Sequence, residues 1–189
     1  MHRREALQRV GVILGGTVIG AELFLSGCKN EEKKSAEAGA FSTDDVALLD
    51  EVAETIIPTT DSPGAKAAQV GTFMTVMVND CYDENSQKAF HEGMKKLNDA
   101  SDKKFKTSFM KASPQQRHEL LVELDKEQRE FQKTKDKDAP SHYFRMMKEL
   151  TLLGYFTSEV GATKALRYIP VPGRYEGCIP YKKGDKAFI

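Results

Sequence analysis

The sequence places one chemically reactive cysteine at the end of an N-terminal apolar run. Residues 25–28 read Leu-Ser-Gly-Cys, and Arg3 and Arg4 stand near the start of the chain. A signal peptidase that cuts before a cysteine needs small residues upstream and a thiol that can be acylated, and this tetrapeptide has both. We therefore predict an export signal over residues 1–27, with a lipid on Cys28 at the new N-terminus.

The paired arginines are typical of the twin-arginine route, which exports folded proteins. His2 and Ala6 differ from the Ser or Thr and the Phe that usually flank such a pair. An uncleaved membrane anchor is the alternative for the apolar run, but a spanning helix needs about 20 apolar residues, and this run is shorter and contains Glu22. The expected location is the periplasmic side of a bacterial membrane.

Motifs that mark catalytic or redox centres are missing from the sequence. There is no Gly-rich dinucleotide loop, no haem-attachment motif and no nucleophile elbow. His91 and His118 each precede a glutamate but lack the second histidine of a zinc-protease helix. With His142, they are predicted to be surface or capping residues. We predict no catalytic residue, no cofactor and no metal site in this chain; an enzyme with a pocket lined by Tyr175 and His142 is the lowest-ranked alternative.

The charge balance argues against a nucleic-acid partner. The chain has 28 basic and 28 acidic residues, and 25 and 26 of these lie after residue 27. A nearly neutral domain offers no general attraction for phosphates. The length leaves room for one domain with a modest core.

Two cysteines, Cys81 and Cys178, remain once Cys28 carries lipid. An exported protein meets an oxidising compartment, which favours a disulfide between them. Two separate buried thiols are the alternative. The sequence alone leaves both open.

The pattern of apolar residues predicts a small, mainly α-helical bundle. Residues 28–40 are charged and small, and read as a flexible tether; the domain then covers residues 41–189. Apolar residues at three- and four-residue spacings predict five helices, beginning near Ser42, Val70, Ser86, Ser113 and Ser141. The second helix places Cys81 near the buried stripe, and the fourth places Phe131 inward.

A different composition begins at Tyr168. Six prolines and glycines between residues 170 and 184 exclude a long helix, and tyrosines and arginines are frequent. These residue types are enriched in the cores of protein interfaces. We predict an extended tail that contacts a partner, wraps its own domain, or does both.

Three segments together resemble the gluconate 2-dehydrogenase subunit 3 family. The first is the signal. The second runs from Leu48 to Pro58 and continues in Pro63-Gly64-Ala65 and residues 78–82. The third covers residues 153–162 and continues through residues 165–168 and 172–178. The resemblance covers residues 41 to about 180, and residues 86–139 contribute little to it.

The resemblance implies an accessory, non-catalytic role. Members are small subunits of membrane-associated dehydrogenases, whose large subunit is an FAD-containing flavoprotein of the glucose–methanol–choline type. A cytochrome c or another acceptor takes the electrons, and the small subunit supports export, maturation and anchoring of its partner. The matching segment then supplies the predicted contacts with the large subunit: Tyr155, Phe156, Arg167, Tyr168, Arg174 and Tyr175. A stand-alone envelope lipoprotein that binds carbohydrate or a protein is the alternative.

Overall fold

The protein is mainly helical, as predicted. The computed structural model describes residues 41–171, 173–174 and 177–189. The α-helices within this part are α1 (Thr43–Ile56), α2 (Val70–Cys81), α3 (Glu84–Phe105), α4 (Pro114–Thr134) and α5 (Tyr143–Thr157). Two short 3-10 turns, Ala65–Ala68 and Phe109–Lys111, and a π-helical turn, Gly161–Ala165, complete the set. The signal, Cys28 and the tether lie outside the described residues.

Side-chain caps fix the starts of the helices. Ser42 accepts a hydrogen bond from the Asp45 N–H, and the Asp45 carboxylate accepts one from the Ser42 N–H. Ser113 and Gln116 form the same reciprocal box before α4. Such boxes satisfy backbone donors that have no partner inside the helix, and both starts were readable from the sequence. The cap of α3 is Asp83 rather than a residue near Ser86.

Helix α5 is the central element of the bundle. It contacts all four other helices and carries eight buried residues. Two glycines permit the close approach: a Cβ on Gly93 of α3 would lie 2.2 Å from the Tyr143 Cβ, and one on Gly154 would lie 2.5 Å from the Phe73 ring. The largest fully buried side chains around α5 include Phe90, Phe109, Leu49 and Met74.

Two predicted inward residues lie at the surface. Cys81 is exposed because it is the last residue of α2, and Phe131 is 40% exposed near the end of α4. Each follows the helical spacing of its buried neighbours but stands where its helix is ending. Cys178 is also exposed, and both cysteines are free thiols. The structure therefore shows neither the bridge between Cys81 and Cys178 nor two buried thiols.

A histidine caps the central helix. His142 is buried, and its Nδ1 accepts a hydrogen bond of 3.2 Å from the Phe144 N–H at the start of α5. Its Nε2 lies 3.7 Å from a carboxylate oxygen of Glu127. Burial lowers the pKa of His142 by more than the Glu127 carboxylate raises it. The neutral ring is therefore favoured in the folded protein, and only a ring with an unprotonated Nδ1 can accept this bond.

This cap predicts an acid-sensitive step in stability. Below a pH of about 6.5, the unfolded chain binds a proton at His142 more readily than the folded chain, so the free energy of unfolding decreases as the pH falls. His142→Asn keeps an acceptor at the cap and does not titrate, so this part of the acid loss should disappear. His142→Ala should cost about 1 kcal/mol at neutral pH. Urea denaturation across this pH range measures both effects.

His118→Asn is the matched control, because His118 is exposed on α4. It should leave the acid dependence unchanged. Identical acid profiles for the wild type and His142→Asn would contradict the role of the cap.

Candidate functional site

The most distinctive surface of the described domain is its C-terminal segment, residues 167–189, which we call the arm. Every described residue of the arm is exposed, so none is buried against the helices. Val171 is 81% exposed and Tyr181 is 75% exposed. The large apolar side chains that it presents to solvent are Tyr168, Ile169, Val171, Ile179, Tyr181, Phe188 and Ile189. Such a concentration of exposed apolar groups is typical of a binding surface.

Main-chain hydrogen bonds close the arm on itself. The Arg167 N–H donates to the Ala187 carbonyl at 2.8 Å, and the Ile189 N–H donates to the Arg167 carbonyl at 3.2 Å. They form a parallel β-bridge between Arg167 and Phe188. The Arg167 guanidinium also lies over the Phe188 ring, 4.6 Å from its centre. The arm is thus a looped ribbon whose two ends meet.

The root of the arm is fixed where α5 ends. Ser158 donates to the Tyr155 carbonyl at 2.7 Å and accepts from the Gly161 N–H at 3.0 Å. A Cβ on Gly161 would lie 1.9 Å from the same carbonyl, so only glycine fits at this position. The π-helical turn that follows leads directly into Arg167. Local geometry therefore determines the direction in which the arm leaves the bundle.

Tyr155 does not face a partner, which corrects one predicted contact. Its side chain is 1% exposed, and its hydroxyl donates to the Pro63 carbonyl at 2.6 Å. Phe156 is half-buried and makes an edge-to-face contact with the Tyr155 ring at 5.2 Å. Aromatic type suggested an interface, but position on the inner face of α5 makes Tyr155 a core residue.

The remaining predicted contacts divide in two. Arg167, Tyr168 and Arg174 are exposed on the arm. Tyr175 lies outside the described residues, as do Arg3 and Arg4 of the predicted signal. Arg167 and Tyr168 are consecutive exposed residues at the start of the arm, and the half-buried Phe156 lies earlier in the chain, at the end of α5.

The loop that Tyr155 contacts is organised by one carboxylate. Glu54 accepts hydrogen bonds from the Thr59 N–H at 2.9 Å, from the Thr59 hydroxyl at 2.7 Å and from the Lys66 N–H at 2.9 Å. Burial raises the pKa of Glu54, but these hydrogen bonds outweigh it and the pKa is lowered. A Cβ on Gly64 would lie 2.4 Å from both carboxylate oxygens. The Pro63-Gly64 turn therefore folds tightly over Glu54.

Two further carboxylates of α1 hold neighbouring segments. Asp50 accepts from the Gly71 N–H at 2.7 Å at the start of α2. Glu51 pairs with Lys66 at 2.7 Å and with Arg117 of α4. We call Asp50, Glu51 and Glu54 the clamp; none of the three was predicted as a functional residue from the sequence. The available signal was the spacing of four between Asp50 and Glu54, which places both carboxylates on one face of α1.

The described surface also has two open grooves. One, of about 790 Å³, is lined mainly by charged and polar residues of α3. The other, of about 350 Å³, lies between α1, α4 and α5 and contains His118 and Asp125. Asp125 already pairs with Lys148 and Arg129, both at 2.6 Å. Its carboxylate is therefore engaged in ion pairs, and His142 lines neither of these two grooves.

Metal-ligating side chains are dispersed in the described part of the chain. No group of three or more His, Cys, Asp or Glu residues there could hold a metal ion.

None of the helices in residues 41–171 is long and apolar enough to cross a membrane.

Together, these features define a small helical domain with an internally clamped loop and an exposed apolar arm. The family model for gluconate 2-dehydrogenase subunit 3 matches residues 43–173. The chain therefore belongs to the gluconate 2-dehydrogenase subunit 3 family, and its class is that of an accessory subunit of a dehydrogenase complex. No curated protein and no solved structure matches the chain. The match ends at Gly173, inside the arm.

Glu54→Gln should destabilise the domain, because an amide presents a donor to one of the N–H groups that the carboxylate now accepts from. Hydrogen bonds to a charged acceptor contribute about 1.5–3 kcal/mol, so we expect a loss of about 2 kcal/mol by urea denaturation at neutral pH. The loss should shrink in acid, because protonation of Glu54 removes the same interaction from the wild type. Glu130→Gln, at an exposed pair, should change stability by less than about 0.5 kcal/mol. Equal effects of the two substitutions would contradict the clamp.

Tyr155 and Tyr168 provide a matched pair of substitutions. Tyr155→Phe removes the hydrogen bond to the half-buried Pro63 carbonyl and should cost about 1 kcal/mol. Tyr168→Phe should leave stability unchanged, because the ring is exposed and its hydroxyl has no hydrogen-bond partner among the described residues. Thermal or urea unfolding measures the difference. A destabilising Tyr168→Phe with a neutral Tyr155→Phe would reverse the assignment of core and surface.

Proposed function

We propose that this chain is the non-catalytic small subunit of a membrane-associated, FAD-dependent sugar or sugar-acid dehydrogenase. Its partner is a flavoprotein of the glucose–methanol–choline type, which carries the FAD and the substrate site. Electrons leave that partner for a cytochrome c or another acceptor. The observation that carries the proposal is the family match over residues 43–173.

The arm supports a role in binding the flavoprotein. Its exposed tyrosines, phenylalanine and arginines are the types that are enriched in the cores of interfaces. Burying the seven large apolar side chains of the arm against a partner would stabilise the complex relative to the separate chains. On this proposal Phe156, Arg167, Tyr168, Arg174 and Tyr175 contribute to the contact, and Tyr155 holds the surface from behind.

Export and anchoring form the second half of the proposal. A folded flavoprotein without a signal of its own crosses the membrane bound to this chain, through the signal that contains Arg3 and Arg4. Lipid on Cys28 then holds the complex at the periplasmic face. A single acyl chain anchors only marginally, and a fully acylated N-terminal cysteine supplies the additional chains.

Co-purification tests the accessory role. With an affinity tag placed in residues 29–40, so that the arm stays free, we expect a large subunit with a flavin absorbance spectrum to purify with this chain. Reduction of the flavin by gluconate, other sugar acids or sugars then identifies the substrate. A colourless single chain, from cells that contain the flavoprotein, would favour a stand-alone envelope lipoprotein instead.

Changes in the signal separate export from anchoring. Replacing Arg3 and Arg4 by Lys should leave the flavoprotein in the cytoplasm, because the twin-arginine route requires the arginine pair. Cys28→Ser should release the exported complex from the membrane fraction, since serine has no thiol to acylate. Flavoprotein that still reaches the periplasm with both arginines replaced would exclude the twin-arginine route, while leaving the complex itself intact.

A further inference from the structure

The arm is an incomplete piece of β-structure. A parallel pair of strands is normally covered on both faces, and two strands alone are marginally stable in water. Here the pair between Arg167 and Phe188 has every described residue of the arm exposed around it. The ribbon is therefore an isolated parallel bridge between two segments, without the cover that parallel sheets usually have.

One edge of the ribbon offers unpaired main-chain groups. Arg167 and Ile169 use their N–H groups toward residues 187 and 189. Because successive residues of a strand face opposite edges, Lys186 and Phe188 turn their N–H and carbonyl groups outward. Neither has a main-chain hydrogen bond within the described residues. On the opposite edge, Tyr168 is followed two residues later by Pro170, which has no N–H, so the edge through Lys186 and Phe188 allows the longer ladder.

The charge of the arm indicates what kind of segment pairs there. Residues 167–189 contain five basic and two acidic residues, whereas residues 41–166 contain seventeen and twenty-one. The described basic residues of the arm, Lys182 and Lys183 included, are exposed. A surface that complements the arm is therefore acidic, and one that complements the rest of the domain is not.

We propose that the arm binds the flavoprotein subunit by strand addition: an extended segment of that subunit, flanked by acidic side chains, pairs with the edge formed by Lys186 and Phe188. The inference rests on the proposed function for the identity of the partner. The main-chain ladder supplies the register, the exposed apolar side chains beside it supply the buried area, and the lysines select for the acidic flank.

Residue-resolved amide hydrogen exchange tests the strand addition directly. The free chain is compared with the purified complex, with the Arg167 and Ile189 amides as internal references that are already bonded. The Lys186 and Phe188 amides should exchange at least about tenfold more slowly in the complex. An intact complex in which these two amides exchange as in the free chain would overturn strand addition and leave the accessory role standing. Failure to form any complex would overturn the proposed function, and this inference with it.

Charge reversal tests the acidic flank independently. The double variant Lys182→Glu with Lys183→Glu should weaken the complex by at least about tenfold, and the loss should diminish at high salt. Lys95→Glu with Lys103→Glu is the matched control, since both lysines are exposed on α3 and form no ion pair within the described residues. It should change the affinity by less than about twofold. Equal losses from the two double variants would contradict a specific basic contact by the arm.

Discussion

The Glu54 carboxylate holds the loop that joins α1 to α2, and this loop contacts the central helix α5 through Tyr155. It accepts three hydrogen bonds from Thr59 and Lys66, each stronger than a neutral bond because the acceptor is charged. The loop held in this way presents the Pro63 carbonyl to Tyr155. Through that bond the clamp on α1 reaches the last turns of α5, after which the π-helical turn Gly161–Ala165 leads to the arm. A short acidic stretch of one helix thus holds a side chain about a hundred residues further along the chain, Tyr155, through the loop that it binds.

Local signals in the sequence were sufficient for the helices but not for the connections between them. The Ser42 and Ser113 boxes are local patterns, so the starts of α1 and α4 could be predicted. Helical periodicity says which side chains share a face but not where a helix extends past its neighbours. Cys81 and Phe131 were misplaced for this reason. The clamp is tertiary, and the hydrogen bond between Asp50 and the start of α2 spans a loop whose path the sequence does not specify.

Composition marked the C-terminal tail as a distinct segment, but it did not show which of the predicted contact residues lie at the surface. Composition distinguished the tail from residue 168 onward, because proline and glycine exclude a helix there. It could not decide between a tail that wraps its own domain and one that contacts a partner, since aromatic side chains would be buried in either case. The structure places Arg167 and Tyr168 at the surface and Tyr155 in the core. Tyr155 lies on the inner face of α5, whereas Arg167 and Tyr168 lie on the arm, and residue type alone encodes neither placement.

The exposed ribbon has a consequence for how such a subunit is made in the cell. An unpaired strand edge beside exposed apolar side chains is a template for association with any similar edge, including that of a second copy of the same chain. A subunit synthesised in excess of its partner would self-associate, and proteases that act on exposed loops would cleave it. On the proposed function, balanced synthesis of this chain and the flavoprotein, and their early encounter, would limit both losses. If the arm binds the flavoprotein as proposed, the surface that forms the complex also limits how long the free subunit persists.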